Sequence, residues 1–310
     1  METIFITGGA GFIGSNFLNY AVPKYPDTRF VNIDTLTYAG NLENVAVSGL
    51  PNYVFERVDI CDSILLERLF QTYTPAGVIN FAAESNVDKS IESADSFITT
   101  NIGGTNNLLR LAVRYKTKRF HHISTDEVYG SLLIDEAAFT EEHTLAPNNP
   151  YSASKAGADL LVRSYHKTFG LDTVITRCSN NFGPNQDDTK LIPRFIKKLQ
   201  AGENVPLYGD GSHRRDWLHV SDHVRAIDLV FHKGRAGEIY NVGSDHDFSN
   251  REVVDILLAA TGHTADVIEF VPDRLGHDFR YAINASKIEA ELGWKPKVSF
   301  GAGIKELLAL

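Results

Sequence analysis

Two short runs in this 310-residue chain have the residue types and the spacing to move protons. Tyr151-Ser152-Ala153-Ser154-Lys155 sets a phenol and an ammonium four residues apart, on one face of a helix. A free tyrosine has a pKa of about 10, too high for a base near neutral pH, and a lysine charge close by favours the phenolate. Lowering that pKa by roughly three units takes about 4 kcal/mol, within reach of two close charges in a dry site. The spacing also fits a plain surface helix pair, and Pro150 suits the first helical position under either reading. The second run, Ser124-Thr125-Asp126-Glu127-Val128-Tyr129-Gly130, sets two carboxyl groups side by side after an apolar stretch. Ser124 and Glu127 have the spacing of a capping box, but Gly130 follows within one turn and no apolar period continues beyond it. Two carboxyl groups there can divide acid and base roles if their environments separate their pKa values.

A third run handles a ligand rather than a proton. Thr7-Gly8-Gly9-Ala10-Gly11-Phe12-Ile13-Gly14 fits GxGxxG through Gly9, Gly11 and Gly14, and GxxGxxG through Gly8, Gly11 and Gly14. Such glycines permit a tight turn and close backbone approach, which brings a pyrophosphate to the N-terminus of the next helix. The motif follows an apolar strand pattern and opens a helical one. Asp34 lies twenty residues beyond Gly14, where a carboxylate accepts hydrogen bonds from ribose hydroxyls and repels a 2′-phosphate. The expected cofactor is therefore NAD rather than NADP, with Asp59 and Ile60 placed to meet the adenine and the oxidised nicotinamide charge joining the lysine in favouring the Tyr151 phenolate.

These groups need a scaffold, and the first half of the chain supplies its pattern. Strand-like runs cover Thr3 to Thr7, Phe30 to Asp34, Val54 to Asp59, Val78 to Ala82, Arg119 to Ser124 and Thr173 to Arg177. Helical periodicity fills the gaps, with Ile98, Ile102, Leu108, Leu109, Ala112 and Val113 on one apolar face of a long helix. Such alternation predicts an α/β fold, a Rossmann-type doubly wound parallel sheet with right-handed crossovers. After residue 178 strands become sparse, although helical segments recur near Asp222 to Phe231 and Arg251 to Thr261. The expected division is an NAD-binding domain over 1–177, with added segments from about 217–245, and a smaller, partly interleaved substrate domain over 178–310.

Composition narrows the partners. Hydrophobic residues at 43% and charged residues at 22% describe an ordinary globular chain and exclude disorder. A formal net charge of −9 argues against nucleic acid or an anionic membrane as a partner. No apolar run reaches the roughly 18 residues of a membrane helix, and Met1 leads into Thr3-Ile4-Phe5 without a basic leader, so a cytoplasmic location is expected. Cys61 and Cys178 are too few for a disulfide framework and each reads as a buried, reduced thiol. The histidines show no HExxH or His/Cys pair at ligand spacing, so no metal is expected, and His121-His122 reads as structural.

Taken together, Thr7 to Gly14, Ala82-Ala83-Glu84-Ser85, Ser124 to Gly130, Tyr151 with Lys155, and Arg177-Cys178-Ser179-Asn180-Asn181-Phe182-Gly183-Pro184 resemble the extended short-chain dehydrogenase/reductase superfamily. Asp34-Thr35-Leu36-Thr37-Tyr38-Ala39-Gly40-Asn41, the Thr125-Asp126-Glu127 triplet, Tyr208-Gly209-Asp210-Gly211 with Arg215-Asp216-Trp217, and Asp273-Arg274-Leu275-Gly276-His277-Asp278 resemble its nucleotide-sugar 4,6-dehydratases, which act on dTDP-glucose. The related sugar epimerases lack the aspartate–glutamate pair.

The resemblance implies that Tyr151 removes the sugar 4-hydroxyl proton, tuned by Lys155 and aided by Thr125. It implies that Glu127 takes the C5 proton, that Asp126 protonates the departing 6-hydroxyl, and that a hydride returns to C6. It adds Phe12, Ile13, Thr35, Leu36, Thr37, Phe81, Ala82, Ala83, Thr100 and Asn181 to the cofactor site. It assigns Ser85, Thr125, Asn180, Lys190, Leu191, Pro206, Tyr208, Arg215, Asn250, Arg274 and His277 to the dTDP-sugar, and it implies a homodimer through the Ile98 to Val113 helix and the one after Pro150. Asn86, Asn284 and His213 depart from the usual histidine, aspartate and asparagine of such relatives. A UDP-sugar 4,6-dehydratase, a nucleotide-sugar C4 epimerase and a non-catalytic NAD-binding protein stand as alternatives.

Overall fold

A computed structural model describes residues 1–310 except Asp245, Arg274, Leu275 and Leu310. The strands, in chain order, are β1 (Glu2–Thr7), β2 (Thr28–Ile33), β3 (Tyr53–Glu56), β4 (Gly77–Asn80), β5 (Arg119–Thr125), β6 (Thr173–Cys178), β7 (Asn180–Phe182), β8 (Val205–Tyr208), β9 (Arg214–His219), β10 (Ile239–Val242), β11 (Asp247–Ser249), β12 (Ile268–Val271) and β13 (Arg280–Tyr281). Seven of them form one sheet in the order β10-β6-β5-β4-β1-β2-β3, every pair parallel. The strand–helix alternation of the first half is thus realised as a doubly wound sheet. Covered on both faces, its strands need no polar side. Phe5 and Val78 face one core with Leu108 and Leu109, while Ile4, Ile6 and Ile79 face the other with Val220 and Val224.

The strand order reverses beside β1, so a crevice opens at the carboxyl ends of β1 and β4, where such sheets take ligands. Thr7 Oγ1 donates to Asn80 Oδ1 at 2.6 Å, and Asn80 Nδ2 reaches Thr105 Oγ1 and His122 Nδ1 at 3.2 Å each, tying β1, β4 and β5 together below that crevice. A third core joins the helices Leu191–Gln200, Asn250–Thr261 and Phe300–Leu308 through Ile192, Phe195, Val253, Leu257 and Ile304. β9 pairs with β7, β11 and β13 beside it, and β8 pairs with β12.

Three expectations need correcting. β3 ends at Glu56 and β4 at Asn80, so Asp59, Ile60, Phe81 and Ala82 lie on the loops beyond the strands. The long helix is interrupted: Ile98–Gly104 winds as a π-helix between Asp95–Phe97 and Thr105–Arg114. The wider turn rotates Ile98 away from the Leu108 and Leu109 face and leaves it 54% exposed. Cys61 is only half-buried, with its Sγ 3.5 Å from Thr99 O, whereas Cys178 is buried. Among the described residues no helix is long and apolar enough to cross a membrane.

Candidate active site

A cavity of about 770 Å³ runs from the glycine turn to the carboxyl ends of β5 and β6. At its nucleotide end Gly8 has φ of +69°, and a Cβ there would lie 2.7 Å from Ala82 N. A Cβ on Gly14 would sit 2.3 Å from Gly8 O, so that glycine lets the helix Phe12–Lys24 close onto the turn. This helix starts at Gly11 without a side-chain cap and with no acid in its first turn, which keeps its first N–H groups available to an anion. Asp34 is fixed by accepting Ala10 N at 2.9 Å on Oδ2 and Leu36 N at 2.8 Å on Oδ1. Each oxygen keeps a second lone pair for a ribose hydroxyl. The cradle fits a dinucleotide without a 2′-phosphate.

At the other end β5 delivers Thr125 and then a single 3₁₀ turn, Asp126–Tyr129. The capping box between Ser124 and Glu127 does not form: Thr125 Oγ1 caps the turn by accepting Glu127 N at 3.3 Å. Glu127 is left to line the cavity, and its Oε2 accepts Ser152 Oγ at 3.1 Å. Asp126 lies behind the cavity wall, 2% exposed, with Thr125 Oγ1 3.3 Å from Oδ1 and no hydrogen-bond partner at Oδ2. Burial, with Glu127 and Asp216 adding negative charge, pushes its carboxyl well above the usual range. Adjacent in sequence, the two acids sit in different surroundings.

Asn149 caps the helix Pro150–Phe169. This helix presents Tyr151 and Lys155 to the cavity together, as their spacing predicts. The expected lysine effect on the phenol does not appear. Burial first, then Glu127, Cys178 and Asp126, hold the Tyr151 phenol well above its ordinary value, with a Thr125 hydrogen bond working against them. Lys155 Nζ instead donates to Ile123 O at 2.7 Å, and burial lowers its pKa to about 8 against the pull of Asp159 and Cys178. Beneath it Arg177 Nε donates to Asp159 Oδ2 at 2.9 Å and the guanidinium lies 4.7 Å over the Tyr129 ring. His121 and His122 are buried in β5, and burial lowers both pKa values, His121 to about 3.

The cavity collects Gly8, Gly11, Phe12, Ile13, Gly14, Asp34, Thr35, Thr37, Asp59, Ile60, Phe81, Ala82, Ala83, Thr100 and Asn181 around the nucleotide end, and Ser85, Thr125, Asn180, Lys190 and Arg215 toward the other. Leu36 does not line it; with φ of +58° the residue serves to turn its N–H onto Asp34. Leu191 opens the helix behind Lys190, and Pro206, Tyr208, Asn250 and His277 also stand off the cavity wall. Tyr208 lies edge-on to His277, and Asn250 N donates to His213 O at 2.8 Å. Arg215 connects this group to the cavity, donating to Asp278 O at 2.9 Å and Phe279 O at 3.3 Å. Arg274 lies outside the described residues.

Sequence reasoning missed Tyr38, Glu84, Ser124, Cys178, Ser179, Gln186, Asp187 and Tyr281 as lining residues. Tyr281 sits in a two-residue strand under Arg215, whose guanidinium is 4.3 Å from the ring, and two residues carry no periodicity. Local spacing also hid a cluster in which His277 Nδ1 is 2.6 Å and His213 Nε2 3.3 Å from opposite oxygens of Asp273, with the two imidazoles stacked at 3.7 Å. Their three potential metal-ligand atoms lie within 4.8 Å of one another.

Residues 5–307 match the family described as GDP-mannose 4,6 dehydratase. The chain is 50% identical over 313 aligned residues to a dTDP-glucose 4,6-dehydratase of an Actinoplanes species, covering 99% of this chain and 96% of the relative. It superposes with a TM-score of 0.95, at 47% identity and covering 99% and 96% of the two chains, on a Streptomyces venezuelae dTDP-glucose 4,6-dehydratase solved with NAD and TYD bound. A UDP-glucose 4-epimerase of Thermotoga maritima has the same fold, with a TM-score of 0.92 at 29% identity over 99% and 97% of the chains. The scaffold alone does not separate the two activities; the likeness in sequence does. The chain belongs to the GDP-mannose 4,6 dehydratase family, beside the dTDP-glucose 4,6-dehydratases to which about half of its residues are identical.

Proposed function

We infer that the chain is an NAD-dependent dTDP-glucose 4,6-dehydratase, a hydro-lyase that yields dTDP-4-keto-6-deoxyglucose. The observation that carries this reading is the split environment of Asp126 and Glu127, one buried with its carboxyl pushed well above the usual range, the other lining the cavity with Tyr151. The glycine turn, the uncapped helix and Asp34 hold the cofactor. When bound, NAD supplies the two-electron acceptor for oxidation at C4 and the donor for reduction at C6, and each turnover leaves it as it began.

The protein groups divide the proton work. Thr125 orients the 4-hydroxyl and Tyr151 takes its proton, the positive charge that an oxidised nicotinamide would bring working against the burial that raises the phenol, and a ketone is left at C4. A proton at C5 is then α to a carbonyl, and Glu127 removes it while the C–H electron pair passes into the enolate. Asp126 turns its unpartnered Oδ2 through the wall beside Glu127 and gives its proton to the 6-hydroxyl, which departs as water as the enolate electrons form the C5–C6 double bond. Glu127 returns a proton to C5 when C6 is reduced, and the proton on Tyr151 exchanges with the one lost by Asp126 through solvent. Arg215, whose planar fork suits a diphosphate, and Lys190 hold the nucleotide.

Tyr151→Phe keeps the ring and removes the base, so kcat for dTDP-glucose is expected to fall about 10² to 10⁴-fold in a folded, NAD-loaded protein. Product analysis tests the reaction itself. Epimerised sugar in place of a 4-keto-6-deoxy product would overturn the assignment.

A cytoplasmic homodimer accompanies this reading, with NAD on residues 1–177 and about 217–245 and the nucleotide sugar mainly on 178–310. Ile98 at 54% and Leu160 at 57% exposure support the dimer, because each leaves apolar surface uncovered on the two helices named for it. Ile98→Glu with Leu160→Glu is expected to sediment as a monomer at micromolar concentration where the native chain is a dimer. An unchanged sedimentation coefficient would reject that interface.

A further inference from the structure

The Glu127 carboxylate rests on a residue with no place in the chemistry above. Ser152 is fully buried, absent from the cavity wall, and reaches Glu127 from the side away from the cavity. Its Oγ lies 3.1 Å from Glu127 Oε2 and 3.0 Å from Asn149 Oδ1. A hydroxyl has one hydrogen, so it donates to only one of these acceptors at a time, while its lone pairs accept from either side. Asn149 Oδ1 does not depend on that hydrogen, because it already receives Ser152 N–H at 2.9 Å as the helix cap. The hydroxyl hydrogen is therefore available to Glu127 Oε2.

We propose that Ser152 is the positioning residue of the C5 proton transfer, its hydroxyl holding Glu127 Oε2 so that the other carboxylate oxygen serves as the base. The proposal rests on the reading of Glu127 as the base at C5. While Glu127 is ionised, Ser152 donates to Oε2 and holds the other carboxylate oxygen toward the cavity. When the cavity-facing oxygen takes the C5 proton, Oε2 remains an acceptor and Ser152 keeps donating to it. Neither charge state then leaves a buried polar group unpartnered, which would otherwise cost one of them and slow the transfer. Placement on the first turn of the helix that carries Tyr151 fixes the base at C5 relative to the base at O4.

The test isolates proton transfer from oxidation. dTDP-4-keto-6-deoxyglucose deuterated at C5 already carries the ketone, so loss of its label to water reports the C5 base alone. Ser152→Ala in the NAD-loaded protein is expected to wash out the label about 10- to 100-fold more slowly, the worth of one hydrogen bond to a charged group. KM should stay within about twofold, and the first-turnover oxidation of dTDP-glucose at C4 should run at the native rate. Ser152→Thr, which keeps the hydroxyl, should restore most of the washout, and thermal unfolding and NAD content confirm that each variant is folded and loaded. Native washout in Ser152→Ala, with Glu127→Gln inactive in the same assay, would overturn the role of Ser152 and leave the base standing. Native washout in both variants would remove Glu127 as the base. Equal losses in washout and C4 oxidation, unrelieved by threonine, would make Ser152 a packing residue and also overturn the proposal.

Discussion

Glu127→Gln should still oxidise dTDP-glucose at C4 and then stall, with a bound 4-keto sugar that neither exchanges its C5 proton nor loses water. Glutamine keeps the size of the side chain and can still accept from Ser152 Oγ, but it has no lone pair basic enough for a carbon acid. Elimination is expected to fall about 10² to 10⁴-fold, the usual worth of a general base. In the native enzyme run in heavy water, one deuterium should enter at C5, while a label placed at C4 should reach C6 of the same molecule. Deoxysugar formed at the native rate by the folded variant would mean that the carboxylate serves only the 3₁₀ turn. That alternative is already weakened, because Thr125 caps the turn and the Glu127 side chain plays no part in it.

Asp126→Asn should lose the elimination step to a similar degree and yet flatten the pH dependence of stability. Asp126 keeps its proton in the folded chain at pH values where the unfolded chain, with an ordinary carboxyl near 3.8, has lost it. The folded state then binds more protons, so its stability is fully present below about pH 4 and drains away as pH rises toward the elevated folded value. Asparagine cannot ionise and removes that slope. Thermal unfolding at pH 5 and pH 8 checks this: the native protein should lose more of its melting temperature between them than Asp126→Asn. Parallel curves would mean that Asp126 is ionised in the fold and is not the acid. Both substitutions should leave C4 oxidation intact, because that step belongs to Tyr151.

The parts of this site that could be read from sequence are those in which spacing and geometry are the same thing. Tyr151 and Lys155 had to share a helical face, and the interval from Gly14 to Asp34 spans one helix and the strand β2 after it, a length set by the helix. The alternation of strand-like and helical runs predicted the parallel sheet for the same reason. Position within the π-helix could not be read, since one wider turn changes which residues face inward, and Ile98 was misplaced by it. Nor could the group around Asp273, whose members come together through the loops after β8 and β12. The fate of the Tyr151 phenol was misjudged because a lysine four residues on was taken to point at it, whereas its ammonium is drawn to a backbone carbonyl of β5.

The place of β10 in the large sheet has a consequence for biosynthesis. Its partner β6 ends at Cys178, and β10 begins at Ile239, so about sixty residues separate the two halves of one hydrogen-bonded ladder. A ribosome adding about 5 to 20 residues per second needs roughly 3 to 12 seconds to make that stretch. Throughout the interval β6 is the terminal strand of a nascent sheet, with a row of unpaired N–H and C=O groups and an apolar sequence, Thr173-Val174-Ile175-Thr176, along its length. Chains that fold cotranslationally therefore carry a sticky edge for longer than local folding takes, and those interrupted between Cys178 and Ile239 keep it. The edge is closed by a strand about sixty residues further along the chain, which makes synthesis through β10 a condition of solubility as well as of activity.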